Sequence, residues 1–298
     1  MKRFPMRAML CSAVLLTVGL FASAASAASG KPLVIGSTNF PEQLILANIY
    51  ADVLQKRGIA VKKRLNLGSR EVVFPALKSG ELDLLPEYSG ALVGFLTNGK
   101  SKASDQKAVM NTLREKLPTS LVALTPSPAQ DKDGLVVTPA TAKKYDLETI
   151  SDLAPVAGKL VLGGPPETKT RYVGVPGLKK VYGIDFKRFR SLDAGGPLTQ
   201  AALASGQVDV ARMFTTQGVI SDRGWILLKD DKNLVPAQNI VPVARKAVLS
   251  DAIRDALNAV SAKLTTAELQ RMNKRVSVDH DDPETVARAW VKQHKIGQ

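Results

Sequence analysis

The chain has 298 residues, 45% of them hydrophobic, a formal charge of +14 and one cysteine. That length is too great for one ordinary core and suits two domains, while the single Cys11 excludes a disulfide framework and a thiolate metal site. The basic excess raises nucleic acid as a partner, but Lys and Arg are dispersed in short groups (61–64, 179–190), acids interleave elsewhere, and no finger, RNA-recognition or helix-turn-helix motif occurs, so nucleic acid is set aside.

The first segment has the three parts of a secretory signal peptide: a basic head (Lys2, Arg3, Arg7), an apolar run from Ala8 to Phe21, and small residues ending at Ala27, where cleavage is expected. The run is short for a membrane span, and Cys11 sits inside it instead of at its end, against lipid attachment. The expectation is a freely exported, periplasmic chain without cysteine, its charge reduced to +11 by the loss of those three basic residues.

"KPLVIGSTNF" (31–40) predicts a buried strand with a polar exit, and "PEQLILANIYADVLQKRG" (41–58) has apolar residues at helical spacing, opened by Pro41 and stopped by Gly58. "IAVKKRLNLG" alternates as a strand. "REVVFPALKSG" predicts a helix ending at Gly80, with Pro75 in its middle, and "ELDLLPEYSG" a strand with its exit loop. This β-α-β-α-β order predicts an α/β domain with a largely parallel sheet.

The order then repeats: strand 134–138, a short helix 149–159, strand 160–164 running into a turn, a helix-like stretch 174–183, a helix stopped by Gly206, and the strand of "QVDVARMFTT". "LVIGSTNFPEQ" (33–43) parallels "LVLGGPPETKT" (160–170), and Ser-Gly-x-x-Asp follows in both, at 79–83 and 205–209. Two similar lobes result, and strand carboxyl ends are where α/β sheets bind ligands. Facing lobes thus make a cleft with strand exits on both walls. After an extended segment (233–246) come three helices capped by Ser250 or Asp251, Thr265 or Thr266, and Asp282 before Pro283. They are placed back on the first lobe. The expected domains are lobe I, 28–134 and 239–298, and lobe II, 135–238, with crossings near 134–138 and 236–242.

Catalysis finds little support. The only histidines, His280 and His294, lie in the charged C-terminal region and read as solvated; no Gly-x-Ser-x-Gly, phosphate loop or His-Glu-x-x-His pair occurs, and no cofactor or metal is expected. Binding candidates gather at the strand exits: Ser37, Thr38, Asn39, Phe40, Glu87, Tyr88 and Ser89 on one wall, and Glu167, Thr170, Arg171, Phe214, Thr215 and Thr216 on the other. Tyr88 and Phe214 hold equivalent places in the repeat and are expected to face each other, their rings attracting a cation. Arg171 is expected to clamp a carboxylate at two points.

These segments, above all "GSTNFPEQ", "LPEYSG", "PPETKTR" and "LDAGGPLTQAALASGQVDVARMFTT", resemble the substrate-binding proteins of osmoprotectant ABC transporters, over nearly the whole mature chain. The resemblance implies a type II periplasmic-binding-protein fold, two α/β lobes closing on a small zwitterionic or cationic ligand such as glycine betaine, choline or carnitine. It also implies delivery to a membrane permease served by a separate ATPase, with the binding protein itself a monomer. In that family aromatic residues box the quaternary ammonium. Tyr88 matches one, Phe214 replaces a second, and the other two positions fall near Asp133 and at Gln238. Arg171 matches the carboxylate-binding arginine, Thr38 stands where a lysine occurs, and Ala91 replaces a threonine. The reduced cage implies a low-affinity or divergent member. If the ligand is instead an amino-acid-like amine, Asp133 and Gln238 are expected to supply charge and hydrogen bonds. An extracellular sensory domain of the same fold is the alternative of a different class.

Overall fold

In a computed structural model describing Met1 and residues 31–297, the chain builds two five-stranded sheets. The expected signal peptide and Cys11 lie outside the described residues, Met1 excepted. In chain order the first lobe contributes β1 (Leu33–Gly36), α1 (Pro41–Lys56), β2 (Val61–Arg64), α2 (Arg70–Ser79), β3 (Leu84–Tyr88), α3 (Ser89–Leu96), α4 (Gln106–Lys116) and β4 (Leu121–Ala123). The second contains β5 (Asp133–Val137), α5 (Pro139–Tyr145), β6 (Val161–Gly164), α6 (Val175–Gly177), β7 (Arg188–Ser191), α7 (Pro197–Ala204), β8 (Val210–Phe214), α8 (Val219–Asp222) and β9 (Ile226–Leu227). The chain then returns through β10 (Ile240–Arg245) and α9 (Asp251–Lys263), α10 (Thr266–Ser277) and α11 (Pro283–Gln293).

The strand orders are β2-β1-β3-β10-β4 and β7-β6-β8-β5-β9. In each, the first three strands run parallel and the fourth is antiparallel to the third. The fourth strands are the two that cross between lobes: β5 enters the second sheet and β10 re-enters the first. The position of each strand follows from its side chains. β1 and β3 are buried throughout, whereas β2 and β7, rich in Lys and Arg, are exposed edges. Pro86 and Pro242 lie opposite one another in β3 and β10, so the two residues unable to donate to the ladder share a single rung.

The repeated Ser-Gly-x-x-Asp unit has a structural purpose. The Val34 amide donates to Asp83 Oδ2 (2.9 Å), and the Val161 amide donates to Asp209 Oδ2 (2.8 Å). The Asp83 and Asp209 amides return bonds to the Val34 and Val161 carbonyls. Each Asp thus ties the start of one strand to its parallel neighbour. Gly80 and Gly206, at φ of 90° and 70°, make the left-handed turn that precedes it.

Ser250, Thr265 and Asp282 cap α9, α10 and α11 by accepting from the amides of Ile253, Glu268 and Thr285. All three helices contribute to one core with α1, which packs closely on α11. Pro75 lies inside α2 on its exposed face, so the helix loses one amide bond and continues. Three expectations need correction. The exit after Tyr88 is no loop, because Ser89 opens α3 at once; the Gly-rich "SGALVGFL" shows little helical period. The short helix expected at 149–159 is two separate helical turns, interrupted by Pro155. His294 is half-buried against Trp290 (ring centroids 4.6 Å), not freely solvated.

Candidate functional site

A narrow cavity of about 50 Å³ lies where β1, β3 and β8 end and the antiparallel β5 begins, lined from both lobes. Of the candidates from the sequence, Thr38, Asn39, Phe40, Tyr88, Asp133, Arg171, Phe214 and Gln238 line it, as do Glu87 and Glu167. Thr215 does not. Its hydroxyl accepts from the Lys132 amide and donates to Asp131 Oδ1, behind the wall. Ser37 and Ser89 are fully buried in backbone contacts, Ser37 accepting from the Asn66 amide and Ser89 from the Asn239 amide.

The aromatic residues do not face each other across a gap. Phe40 stands between the other two, its ring centroid 4.7 Å from Phe214 and 6.1 Å from Tyr88, at 25° and 26°. The expected Tyr88–Phe214 pair is therefore a stack of three. It forms one continuous apolar wall because the exit turn after β1 carries Phe40 inward to begin α1. Tyr88 is fixed at its far end: its hydroxyl donates to Glu42 Oε1 (2.8 Å).

The three cavity arginines are paired with protein carboxylates. Arg70 grips Glu87 at two points (Nε–Oε1 3.0 Å, Nη2–Oε2 2.8 Å), and both are buried. Arg212 Nη2 stands 2.5 Å from Asp133 Oδ1, and its Nη1 donates to Thr168. Arg171 makes the expected two-point clamp, but on Glu71 of the opposite lobe (Nε–Oε1 3.1 Å, Nη2–Oε2 2.8 Å). Gln238 is likewise engaged, its Oε1 accepting from the Ala91 amide in the first turn of α3 (2.7 Å). Asp133 and Gln238, offered by the sequence as ligand groups, thus hold Arg212 and α3 in place.

One carboxyl at the cavity lacks a basic partner among the described residues. Asp131 lines the cavity, is 4% exposed and has no basic partner within ion-pair distance among the described residues. Its Oδ1 accepts from the Thr216 amide (3.2 Å) and the Thr215 hydroxyl (3.3 Å). Burial, and secondly the charge of Glu42, push the Asp131 carboxyl well above its usual range; burial raises Glu42 too, against its hydrogen bonds. Glu42 joins the lobes: Thr216 Oγ1 and Asn273 Nδ2 both donate to its Oε2, at 2.6 and 2.5 Å. Thr38 Oγ1 is buried at the cavity without a hydrogen-bond partner among the described residues. A site with an aromatic wall, a buried carboxylate lacking a cation and an unpartnered hydroxyl suits a small cationic group.

Sequence reasoning missed Asp131, Arg212, Arg70 and Glu42. The signal for Arg212 was present: it sits two residues before Phe214 in an apolar strand, and so on the same face. Asp131 carried no pattern of its own.

A glycine-betaine-binding protein of Pseudomonas aeruginosa is 30% identical over 98% of this chain and 96% of its own length. The glycine betaine-binding protein YehZ of Escherichia coli is 30% identical over 89% of this chain and 91% of its own. A solved structure described as a glycine betaine/carnitine/choline ABC transporter superposes with a TM-score of 0.70 at 28% identity, over 89% of this chain and all of that one. The two α/β lobes around a cleft match this periplasmic-binding-protein architecture, as expected. The family described as the substrate binding domain of ABC-type glycine betaine transport systems matches residues 31–293, and the chain belongs to that family of solute-binding proteins, not to an enzyme family.

Proposed function

We propose that this protein captures a small quaternary-ammonium compound of the betaine type between its lobes and hands it to the permease of an ABC importer. The observation that carries the reading is the pairing of the Phe40–Tyr88–Phe214 wall with Asp131, a buried carboxyl with no basic partner among the described residues. A trimethylammonium group satisfies both: the ring faces attract it by roughly 0.5–2 kcal/mol per contact, and the carboxylate balances its charge. Thr38 is offered as a hydrogen-bond donor, and Arg171 as the group that turns from Glu71 to a ligand carboxylate. Asn39, Phe40 and Gln238 shape the walls. Asp133 acts through Arg212, and Thr215 through Asp131.

The working lobes are 28–134 with 239–298, and 135–238, the first boundary falling inside β5 (Asp133–Val137), which pairs in the second sheet. Support comes from the Gln130–Asn239 bridge, where the two crossing segments lie side by side. Export through the N-terminal segment is part of the reading. Among the described residues no helix is long and apolar enough to cross a membrane. Because one chain supplies both walls, a monomer suffices.

Calorimetric titration of the mature chain with glycine betaine, choline, carnitine and a panel of amino acids tests the reading. Saturable binding of a quaternary amine supports it. Binding of an amino acid with no response to quaternary amines up to millimolar concentration removes it.

A further inference from the structure

A second, much larger cavity of about 640 Å³ adjoins the first and shares Arg70, Ala91, Asp133 and Arg171 with it. Its size is within the range that holds small molecules, whereas the first has room for little beyond a head group. Apolar side chains line part of it, Val93 and Phe95 from α3, Tyr172, Val181 and Leu234 from the second lobe and Pro236 from the crossing, beside the polar Asn98, Lys102 and Lys232. The lobes touch at one point beside it. Gly99 lies so near Tyr172 that a Cβ there falls 2.3 Å from the tyrosine Cβ. The shared wall is made by Ala91, Asp133 and the ion-paired Arg70 and Arg171.

We infer that the cleft has two chambers and accepts a trimethylammonium compound with an apolar extension, the head against Phe40, Tyr88 and Phe214 and the extension in the second cavity. The inference rests on the quaternary-ammonium reading of the first cavity. Nothing in the first chamber needs the second: no residue of the aromatic wall lines it. Glycine betaine therefore uses one chamber and a longer ligand uses both.

Gly94 allows a direct test. It lines the second cavity only, within α3, and a Cβ on it meets no atom within 4 Å. A Gly94→Phe side chain starts from open space and extends into that cavity. Calorimetry of the mature protein and of Gly94→Phe uses glycine betaine, carnitine and its acetyl, butanoyl and octanoyl esters. The expected result is affinity rising about threefold to fourfold per added methylene until the cavity is filled. In Gly94→Phe that gain is lost, while glycine betaine binds as before. If glycine betaine or carnitine binds but longer esters bind progressively more weakly, the second chamber is refuted and the quaternary-ammonium reading stands. The chamber is equally refuted if the variant leaves the chain-length gain intact. If no trimethylammonium compound binds at all, both fall together.

Discussion

Arg171 of the second lobe holds Glu71 of the first through two bonds of 3.1 and 2.8 Å. The arginine proposed to receive a ligand's carboxylate is thus already receiving a protein's, across the same cleft. The contact has two consequences, a competition and a latch. Glu71→Gln removes the competing charge, and affinity for carboxylate-bearing ligands is expected to rise by up to about fivefold, the effect of roughly 1 kcal/mol for a half-exposed pair. Choline, which has no carboxylate, is expected to gain nothing. Parallel titrations of the two ligands separate the outcomes.

The same pair sets an acid limit. Partial burial pushes the Glu71 carboxyl up, but hydrogen bonds from Arg171 and Ser69 outweigh it and hold the group at about 2, against an ordinary 4.5. Its folded-state value being depressed, the latch is fully present above about pH 4.5 and is lost as pH falls toward 2. Small-angle scattering is expected to show the lobes separating over that window. Glu71→Gln, measured at pH 6, is expected to match the acid form of the wild type.

Asp131 behaves in the opposite sense. Its pKa is raised by burial and by Glu42, so above the ordinary 3.8 the folded chain keeps a proton that the unfolded chain has lost. Stability therefore falls as pH rises from 3.8 through the folded value. Asp131→Asn is expected to flatten that dependence and raise the melting temperature at pH 7 by about 3 °C, the shift of roughly 1 kcal/mol in a chain of this size. A bound cation lowers the carboxyl's pKa, so binding releases a proton and tightens with pH. Titration in two buffers of different ionisation enthalpy measures the release, which is absent in Asp131→Asn.

The strand ties predict an order of stabilities. Asp209→Ala leaves the half-buried Val161 amide unsatisfied and is expected to cost about 1–3 kcal/mol. Asp83→Ala is expected to cost more. It orphans the buried Val34 amide and also removes the carboxylate 3.1 Å from Arg245 Nη1. Urea denaturation of both variants checks the ranking; equal midpoints contradict it.

Phe214→Ala removes one face of the aromatic wall and is expected to weaken quaternary-amine binding about 2- to 30-fold, the range that follows from 0.5–2 kcal/mol. Phe40→Ala is expected to weaken binding at least as much, because Phe40 stacks on both neighbours and its loss unsettles the whole wall. A calorimetric comparison with Thr215→Val, which lies behind the wall, distinguishes loss of contact from loss of support.

By itself, the sequence determined the two-lobed α/β plan, the repeated strand-turn unit, the caps of the last three helices, the solute-binding family and most residues at the cavity. These are legible because apolar period, glycine stops, capping residues and strand-exit motifs act over short distances along the chain. Only the tertiary structure decided which charges cancel. Arg171 finds Glu71 100 residues away, Arg70 finds Glu87, and Arg212 finds Asp133, leaving Asp131, among the described residues lining the cavity, a carboxyl without a basic partner. The same holds for Phe40, whose position between Tyr88 and Phe214 depends on three segments meeting. Ion pairing and ring stacking fall off within a few ångströms, so they are fixed by how the lobes come together and not by spacing along the chain.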